Sequence, residues 1–367
     1  MQLNSLSLRQ FRNYEDAHVD FAPDCNVICG ENAQGKTNLL EAILYLSCAH
    51  SPRARSDREL VSFGADAAML RGEAEAHGRA FRIDISLFAS RRRTIAVNQA
   101  PCRRAADLSD ALRTVYFCPE DLQLLRDGAA ARRRFLDSSL SQLRPRYVAA
   151  LAEYNRLLEH KTRILRDSAD YPQLLDTLPE FNLRMAQTGA VLIHYRARYC
   201  ARLAQCAAVA HRECSGGREE LALRYATVST IDDPFAPLDV LTDALRRHQE
   251  SHAQAELVSR LCLSGPHKDD IAAEIDGKEA RRFSSQGQLR TAALSMKLAE
   301  RDICGEVTGE APLLLLDDVL SELDPKRQEY VLSRITGGQV FITCCESDRL
   351  GAMPGGKTLF IEKGRVR

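Results

Sequence analysis

The feature that most constrains this chain is a glycine-rich segment that starts at Gly30 and reads GENAQGKT. It follows the short apolar run NVICG and precedes TNLLEAILYLSCA, whose apolar residues recur at helical spacing. Glycines in such a loop let backbone N–H groups curl around phosphate oxygens at a helix N-terminus. The pattern therefore predicts a strand, a phosphate-binding loop and a helix in direct succession, which is typical of an α/β sheet.

Each polar residue of this segment has an expected role. Lys36 would reach the β- and γ-phosphates of a nucleotide, and the Thr37 hydroxyl would ligate Mg²⁺. The predicted cofactors are ATP and Mg²⁺. The predicted nucleotide-binding residues here are Gly30, Glu31, Asn32, Ala33, Gln34, Gly35, Lys36, Thr37 and Asn38.

A carboxylate for the metal follows four consecutive leucines, at Asp317 and Asp318. Such an apolar run predicts a central parallel strand, so Asp317 would emerge at its carboxyl end beside the phosphates and hold Mg²⁺. Asp318 would position the attacking water. With Lys36 these two residues form the predicted catalytic set. Helix capping or simple solvation is the alternative role for the acidic pair.

The two halves of this predicted site stand near opposite ends of the chain, unlike those of a compact kinase or GTPase. Residues 1–118 and 255–367 mix strand and helix patterns, whereas 119–254 are dominated by long helical patterns. We therefore predict an α/β ATPase head with a mixed sheet, formed by both ends, and a compact, mainly helical second lobe. Pro172, Pro179 and Gly189 argue against continuous helical rods in that lobe.

Two further segments narrow the class of P-loop protein. The segment SSQGQ opens a helix at Ser284, where hydroxyls and N–H groups favour an anion, and SELD follows the acidic pair. Each is weak alone, since Ser285 could be an ordinary N-cap. In the order P-loop, helical insertion, SxGQ, LLLLDD and SxLD they form a specific set.

Together with LSLRQFRNYED, PEDLQLLRDG and SGPHKDD, this set resembles the ATP-binding-cassette ATPases, and within them the RecF family, over nearly the whole chain. The resemblance implies that Ser285, Gly287 and Gln288 contact the γ-phosphate of ATP bound to a second subunit. It implies that Asp324 lies in a loop that crosses the dimer interface. It also implies that Arg12 and Asn13 lie near the nucleotide.

By the same resemblance, the chain would dimerise on ATP at double-stranded and gapped or junction DNA and help to load RecA together with RecO and RecR. It would be a weak, DNA-stimulated ATPase. The sequence departs from the family at Lys268, where arginine is usual, and at Leu289, where glutamine is common. Thr343 is the nearest candidate for the switch histidine of transporter ATPases, so slow turnover is expected.

Two alternatives remain at this stage. The same head, similar to that of the SMC proteins, could act with a separate nuclease in DNA end processing. A small-molecule kinase would need closely spaced nucleotide motifs, and it would leave SSQGQ and SELD without a role.

Net charge does not exclude DNA. The chain has 50 basic and 50 acidic residues, but ten arginines and only five acidic residues lie between Arg91 and Arg134. Such clusters can neutralise phosphates without reading sequence, although surface ion pairs are the alternative. At least one arginine of Arg132 to Arg134 is expected to be structural. The predicted DNA-binding residues are Arg53, Arg55, Arg91, Arg92, Arg93, Arg132 and Arg133.

The hydropathy, the first residues and the cysteines indicate where in the cell the protein is located. No run approaches the ~20 apolar residues of a membrane span, and the first residues do not have a signal-peptide pattern. The twelve cysteines are scattered without a CxxC pair, which favours reduced, packed thiols. We therefore expect a cytoplasmic protein with no membrane partner.

Overall fold

The structure is a computed structural model that describes residues 1–102, 105–335, 337–345 and 356–367, without the side chains of 105 and 106. The chain forms two compact units. The first unit comprises Met1–Leu122 with Lys297–Arg367, and the second comprises Gln123–Met296. Both ends of the chain therefore belong to one unit.

The elements follow one another along the chain in three groups. The first group is β1 (Gln2–Phe11), β2 (Tyr14–Asp20), β3 (Cys25–Cys29), α1 (Lys36–Cys48), β4 (Ala67–Ala76), β5 (Arg79–Phe88), β6 (Thr94–Val97), β7 (Ala100–Pro101) and β8 (Thr114–Phe117). The second is α2 (Ala129–Leu143), α3 (Pro145–Asp167), α4 (Leu178–Cys214), β9 (Leu221–Ala226), α5 (Leu238–Ser259), β10 (Asp270–Ile275), β11 (Lys278–Glu279), α6 (Ala280–Phe283) and α7 (Gln286–Thr308). The third is β12 (Leu313–Leu316), α8 (Pro325–Arg334), β13 (Val340–Cys344), β14 (Lys357–Glu362) and β15 (Arg365–Val366).

The first unit contains an antiparallel sheet with strand order β2-β1-β4-β5-β6-β7. Its strands alternate buried and exposed residues, most regularly in β4, as the period of two in AAMLRGEAEA predicts. One face of this sheet therefore packs on the core and the other faces solvent.

A second sheet in the same unit has the order β15-β14-β3-β13-β12-β8, and its five strands from β14 to β8 are parallel. The prediction of a central parallel strand is confirmed, because β12 pairs with β13 on one side and β8 on the other. Carboxyl ends of parallel strands meet at one edge of a sheet. This edge brings together the segments that follow β3, β12 and β13.

Helix α1 lies between the two sheets. Ten of its 13 residues are buried, and it contacts β4 of the antiparallel sheet as well as β8 and β13 of the parallel sheet. A helix that is apolar on nearly all sides needs such a fully covered position. The core around α1 fixes its N-terminus, where Lys36 and Thr37 stand.

The second unit contains helices α2 to α5 and the antiparallel sheet β11-β10-β9. Helix α4 runs without interruption for 37 residues, about 55 Å, so the expectation that Gly189 would break a rod is wrong. A Cβ on Gly189 would lie 3.1 Å from Leu245 Cδ1 and 3.2 Å from Pro266 Cδ. This glycine allows close packing rather than ending the helix.

Pro172 and Pro179 lie where the chain turns from α3 to α4. Pro172 opens the 3₁₀ turn Pro172–Thr177 between α3 and α4, and Pro179 stands in the first turn of α4, where a missing N–H does no harm.

Residues 255–296 also fall in the second unit, although their mixed strand and helix pattern predicts that they belong to the ATPase head. The reason is that β10 pairs along its whole length with β9. Asp276 and Gly277 form the turn of the β10–β11 hairpin: both residues have positive φ, and Ile275 pairs with Lys278. Among the described residues, no helix has the length and apolar character that a membrane span needs.

Candidate nucleotide-binding site

The glycine-rich loop connects β3 to α1, and two of its positions require glycine because of their positive φ and their close neighbours. Gly30 and Gly35 have φ values of 154° and 119°. A Cβ on Gly35 would lie 2.7 Å from the Asn13 side-chain nitrogen, and one on Gly30 would collide with the backbone carbonyl of Ile361. Only glycine therefore fits at either position.

Lys36 is buried at the first position of α1, and its ammonium group turns back onto the loop. Its Nζ donates to the carbonyl oxygens of Gly30 at 2.6 Å and Glu31 at 3.2 Å. These partners are neutral, so among the described residues the positive charge is held inside the loop without a carboxylate as hydrogen-bond partner. A phosphate bound by the loop would supply that negative charge.

The predicted metal ligands meet at the carboxyl end of β12. Thr37 Oγ1 donates to Asp317 Oδ1 at 3.0 Å across 280 positions of sequence. Asp317 also accepts from the hydroxyl groups of Thr343 at 3.0 Å and Tyr116 at 2.7 Å. A hydroxyl beside a carboxylate oxygen fits Mg²⁺, which prefers oxygen ligands and completes its shell with water and phosphate.

Asp318 follows at once and adopts a left-handed backbone conformation with φ 52°, which aspartate tolerates better than most residues. Its backbone N–H donates to Thr343 Oγ1 at 2.8 Å, so Thr343 contacts both acidic residues. Burial raises the pKa of the Asp318 carboxyl, and the charge of Asp317 adds to the rise, whereas Lys36 and Thr343 oppose it.

These groups surround a cavity of about 350 Å³. Seven of the predicted loop residues line it. Arg53 also lines it, donates to Asn38 Oδ1 at 3.1 Å and lies 3.5 Å from Glu41. Arg53 was predicted to bind DNA; in the structure its exposed side chain lines this cavity, and its contact with DNA stays a prediction. The complete lining is Glu31, Asn32, Ala33, Gly35, Lys36, Thr37, Asn38, Arg53 and Asp318.

Asn13 and Arg12 lie next to the loop and the first turns of α1. The Asn13 amide donates to the Gln34 carbonyl at 2.8 Å and accepts from Asn38 at 2.9 Å. The Arg12 guanidinium forms a bidentate pair with the buried Glu41 of α1, at 2.7 and 2.8 Å. Asn13 thus contacts the loop directly, whereas Arg12 is held by Glu41.

Comparison with known proteins supports this architecture. Residues 2–363 match the family model described as the RecF/RecN/SMC N terminal domain. The DNA replication and repair protein RecF of Agathobacter rectalis is 38% identical over 370 residues, covering 100% of this chain and 99% of that protein. The RecF protein of Listeria monocytogenes serotype 4b is also 38% identical, with 100% of both chains covered. The chain belongs to the RecF family.

Solved RecF structures have the same fold as this chain. The recombination mediator protein RecF-ATP in the RecFOR pathway matches with a TM-score of 0.91 and 31% identity, over 100% of this chain and 97% of that one. The RecF-ATPrS structure matches with the same TM-score and 32% identity, over 99% and 97% of the two chains. The Smc head domain of Pyrococcus furiosus, at 14% identity and TM-score 0.56 over 100% and 95%, shares the fold. The predicted fold class and the resemblance are confirmed.

The segment SSQGQ, which starts at Ser284, lies in the second unit, where it caps α7. The backbone N–H of Gln288 donates to Ser285 Oγ at 3.2 Å, and that of Ser285 donates to Gln288 Oε1 at 2.9 Å. This reciprocal pair is a capping box. Gly287 lies in the first turn of the same helix. In the first unit, Asp324 caps α8 by accepting from the Arg327 backbone N–H at 3.1 Å.

Two of the arginines predicted to contact DNA are structural in this RecF-family chain. Arg132 is buried, pairs with Asp270 at 2.6 Å and donates to the Asp127 carbonyl. Arg93 pairs with Asp57 at 2.9 Å and contacts the Tyr45 hydroxyl at 3.0 Å. Both guanidinium groups are occupied by partners of their own unit.

The other predicted arginines differ in exposure. Arg133 is half-buried and donates to the Asp269 carbonyl at 2.6 Å. Arg91 is exposed and stacks over Phe88 at 3.7 Å, and Arg55 and Arg92 are exposed. Arg103 and Arg104 of the basic tract lie outside the described residues.

Sequence reasoning missed Tyr116 and Glu41. A tyrosine in a buried strand needs a hydroxyl partner, which is a usable signal, but Tyr116 and Asp317 are 201 positions apart. Only the parallel pairing of β8 with β12 brings them together. Glu41 carries a similar signal, because a carboxylate inside an apolar helix needs a cationic partner.

Proposed function

We propose that this chain is an ATP-dependent DNA-binding protein of recombinational repair that hydrolyses ATP slowly. The observation that carries the proposal is the contact of Thr37 with Asp317 beside a cavity lined by Lys36. The names of its relatives, which are DNA replication and repair proteins, give further support.

ATP would bind with its phosphates on the loop amides and on the Lys36 ammonium. Thr37 and Asp317 would hold Mg²⁺, which neutralises charge on the phosphate oxygens when bound. Asn13 keeps the loop in shape through Gln34 and Asn38. Arg53 adds a second positive charge at the cavity wall.

For hydrolysis, Asp318 would accept a hydrogen bond from the attacking water and hold it in line with the γ-phosphate. Thr343 fixes the backbone of Asp318 and one oxygen of Asp317. Aspartate is one methylene shorter than the glutamate of transporter ATPases, so it reaches the water less well. Turnover should therefore be slow, as suits a timed clamp on DNA.

Ser285, Gly287 and Gln288 of a second copy would contact the γ-phosphate, so that ATP joins two chains. In the capping box Ser285 Oγ accepts a hydrogen bond, and its hydroxyl hydrogen is still able to donate to a phosphate. Asp324 would lie at the same interface. RecO, RecR and the RecA pathway are the proposed partners by family membership, in the cytoplasm.

The DNA backbone would contact exposed arginines of the first unit, namely Arg55, Arg91 and Arg92. Binding of this kind is independent of sequence and weakens with salt. Gapped or junction duplex is the proposed substrate.

The nucleotide part is tested by measuring mass in solution by light scattering, with ATP, ADP or no nucleotide. ATP with Mg²⁺ should double the mass, and ADP should not. Ser285→Arg should abolish the doubling but retain ATP binding, whereas Ser259→Arg, the same change at an exposed serine of the second unit, should dimerise normally. A monomer that persists with saturating ATP would refute the role of a second copy.

The DNA part is tested by titrating duplex, single-stranded and gapped DNA at two salt concentrations with ATP. The double change Arg91→Ala with Arg92→Ala should weaken binding to every duplex and reduce its salt dependence. Arg163→Ala, at an exposed arginine of the second unit, is the control. Unchanged affinity of the double variant would exclude these arginines as contacts.

A further inference from the structure

Three thiols lie where β3 and β13 end, at the base of the phosphate-binding loop. Cys29 and Cys344 are register partners in the parallel sheet, and their Sγ atoms are 3.2 Å apart. Cys29 is buried and Cys344 is half-buried, whereas Cys345, the next residue, is exposed. Of these three thiols, Cys345 is therefore the most open to a reagent from solvent.

Cys345 contacts the loop itself. Its Sγ lies 3.1 Å from Asn32 Oδ1 and 3.6 Å from Lys36 Nζ. Asn32 and Lys36 both line the nucleotide cavity. Any group attached to this sulfur would therefore stand beside the ammonium that is proposed to hold the phosphates.

We propose that Cys345 is a modification site that reacts with low-molecular-weight disulfides and thereby excludes ATP. The Cys345 sulfur, as the thiolate, attacks one sulfur of the reagent, whose S–S bond breaks as the new S–S bond forms. The departing thiolate takes up a proton equivalent to the one lost from Cys345. The reagent disulfide is the oxidant, so no further electron acceptor is needed.

Burial separates Cys345 from Cys29 and Cys344. Burial raises the pKa of Cys344 to about 12, and the adjacent Cys29 adds to the rise, so little Cys344 thiolate forms at neutral pH. Cys345 faces solvent and has the Lys36 cation beside it. An adduct with carboxylates, such as glutathione, would also pair with Lys36 and oppose phosphate binding.

The exclusion of ATP rests on the proposed function, whereas the reaction at Cys345 does not. The full chain is treated with glutathione disulfide, with and without saturating ATP and Mg²⁺, and the adducts are located by mass spectrometry of peptides. We expect one glutathione on Cys345, protection by ATP, and loss of ATP binding in proportion to the modified fraction. Reduction should restore binding.

The Cys345→Ser variant should bind ATP equally tightly before and after treatment with glutathione disulfide. Cys102→Ser, at a half-buried thiol outside the cavity lining, should lose ATP binding as the parent chain does. The proposal is overturned if adducts form only elsewhere, if a Cys29–Cys344 disulfide is the main product, or if modified Cys345 leaves ATP affinity unchanged. An untreated chain that does not bind ATP contradicts the proposed function and its ATP part here, while the adduct position still decides the modification site.

Discussion

Two clusters of this molecule each contain a buried basic side chain, but the two side chains have different kinds of partner. In the second unit, Arg196 pairs with Asp269 at 3.0 Å and with Asp137 at 2.8 Å, and Asp269 also accepts from the hydroxyl groups of Tyr225 and Thr227. In the first unit, the buried Lys36 donates to neutral backbone carbonyls.

The difference is in how charge is balanced. In the Arg196 cluster, each charge meets an opposite charge from the same unit, and Asp269 and Arg196 are almost completely buried. In the nucleotide site, the hydrogen bonds of the Lys36 ammonium to described residues go to neutral groups, although its charge also acts on Asp318, and a ligand can supply a directly paired anion. A charge balanced by charge stabilises a fold, whereas a charge balanced by dipoles is available for binding.

The largest expected effect follows from removing one partner of the Arg196 cluster. Asp269→Ala leaves a buried guanidinium without one of its two carboxylate partners, which typically costs about 3–5 kcal/mol. The free energy of unfolding from urea titration should fall by that amount. Lys268→Ala, at the exposed neighbouring residue, should change it by less than about 0.5 kcal/mol. Equal stabilities of the two variants would show that the cluster is not structural.

Lys36→Met should lower ATP affinity strongly and change stability little, the opposite of what is expected for Asp269→Ala. Hydrogen bonds to charged groups contribute about 1.5–3 kcal/mol, so ATP affinity measured by calorimetry should fall roughly 10- to 100-fold. The free energy of unfolding should change by less than about 1 kcal/mol, because the lysine gives up only neutral partners.

A matched lysine sharpens this test. Lys297 is also buried in the first unit, but its Nζ lies 2.6 Å from Glu300. Lys297→Met should lower stability by about 3 kcal/mol and leave the ATP affinity of the folded protein unchanged. If Lys36→Met unfolds the chain instead, the contrast between the clusters is wrong.

This contrast also shows what the sequence could predict. The loop around Lys36 was predictable because glycines, lysine and threonine at fixed spacing have one physical use, and the leucine run before Asp317 places a carboxylate at a strand end. The segment SGPHKDD has no such fixed spacing. The role of Asp269 could not be predicted because its partners, Tyr225 and Arg196, lie in a strand and a helix far away in sequence.

The same limit applies to individual arginines. A cluster of arginines in sequence does not show which side chains turn inward. Arg132 is buried against Asp270 only because of tertiary packing, whereas Arg53 stays exposed while it contacts Asn38. Gly189 was misjudged for a related reason: in a long helix whose packing surface is unknown, a glycine is as consistent with close contact as with a break.

A smaller effect is expected at Tyr116, the hydroxyl partner of Asp317. Tyr116→Phe removes one neutral-to-charged hydrogen bond without changing shape, so the free energy of unfolding should fall by about 1.5 kcal/mol, the lower end for such bonds. The rate of ATP hydrolysis should fall several-fold because Asp317 loses one of the contacts that orient it. Tyr195→Phe, on α4 of the second unit, is the control. An unchanged rate would show that Thr37 and Thr343 orient Asp317 without Tyr116.

The smallest expected effect concerns Asp318. Because its pKa is raised in the folded protein, the charged form is less favourable there than in the unfolded chain. The resulting loss of stability is present above the folded pKa, diminishes as pH falls through it, and is absent below the ordinary carboxyl pKa of about 4. Asp318→Asn removes the titration and suits the left-handed backbone equally well.

Without nucleotide, Asp318→Asn should therefore be more stable than the parent chain at pH 7, by less than about 1 kcal/mol, since Asp318 is half-buried and partly screened by solvent. The difference should vanish near pH 3, where parent and variant are both neutral at this position. Urea titrations across that pH range measure it, with Asp324→Asn, at an exposed cap, as the comparison. A variant that is less stable at pH 7 would mean that Asp318, like Asp269, is balanced by charge, and would remove the distinction between the two clusters at this residue.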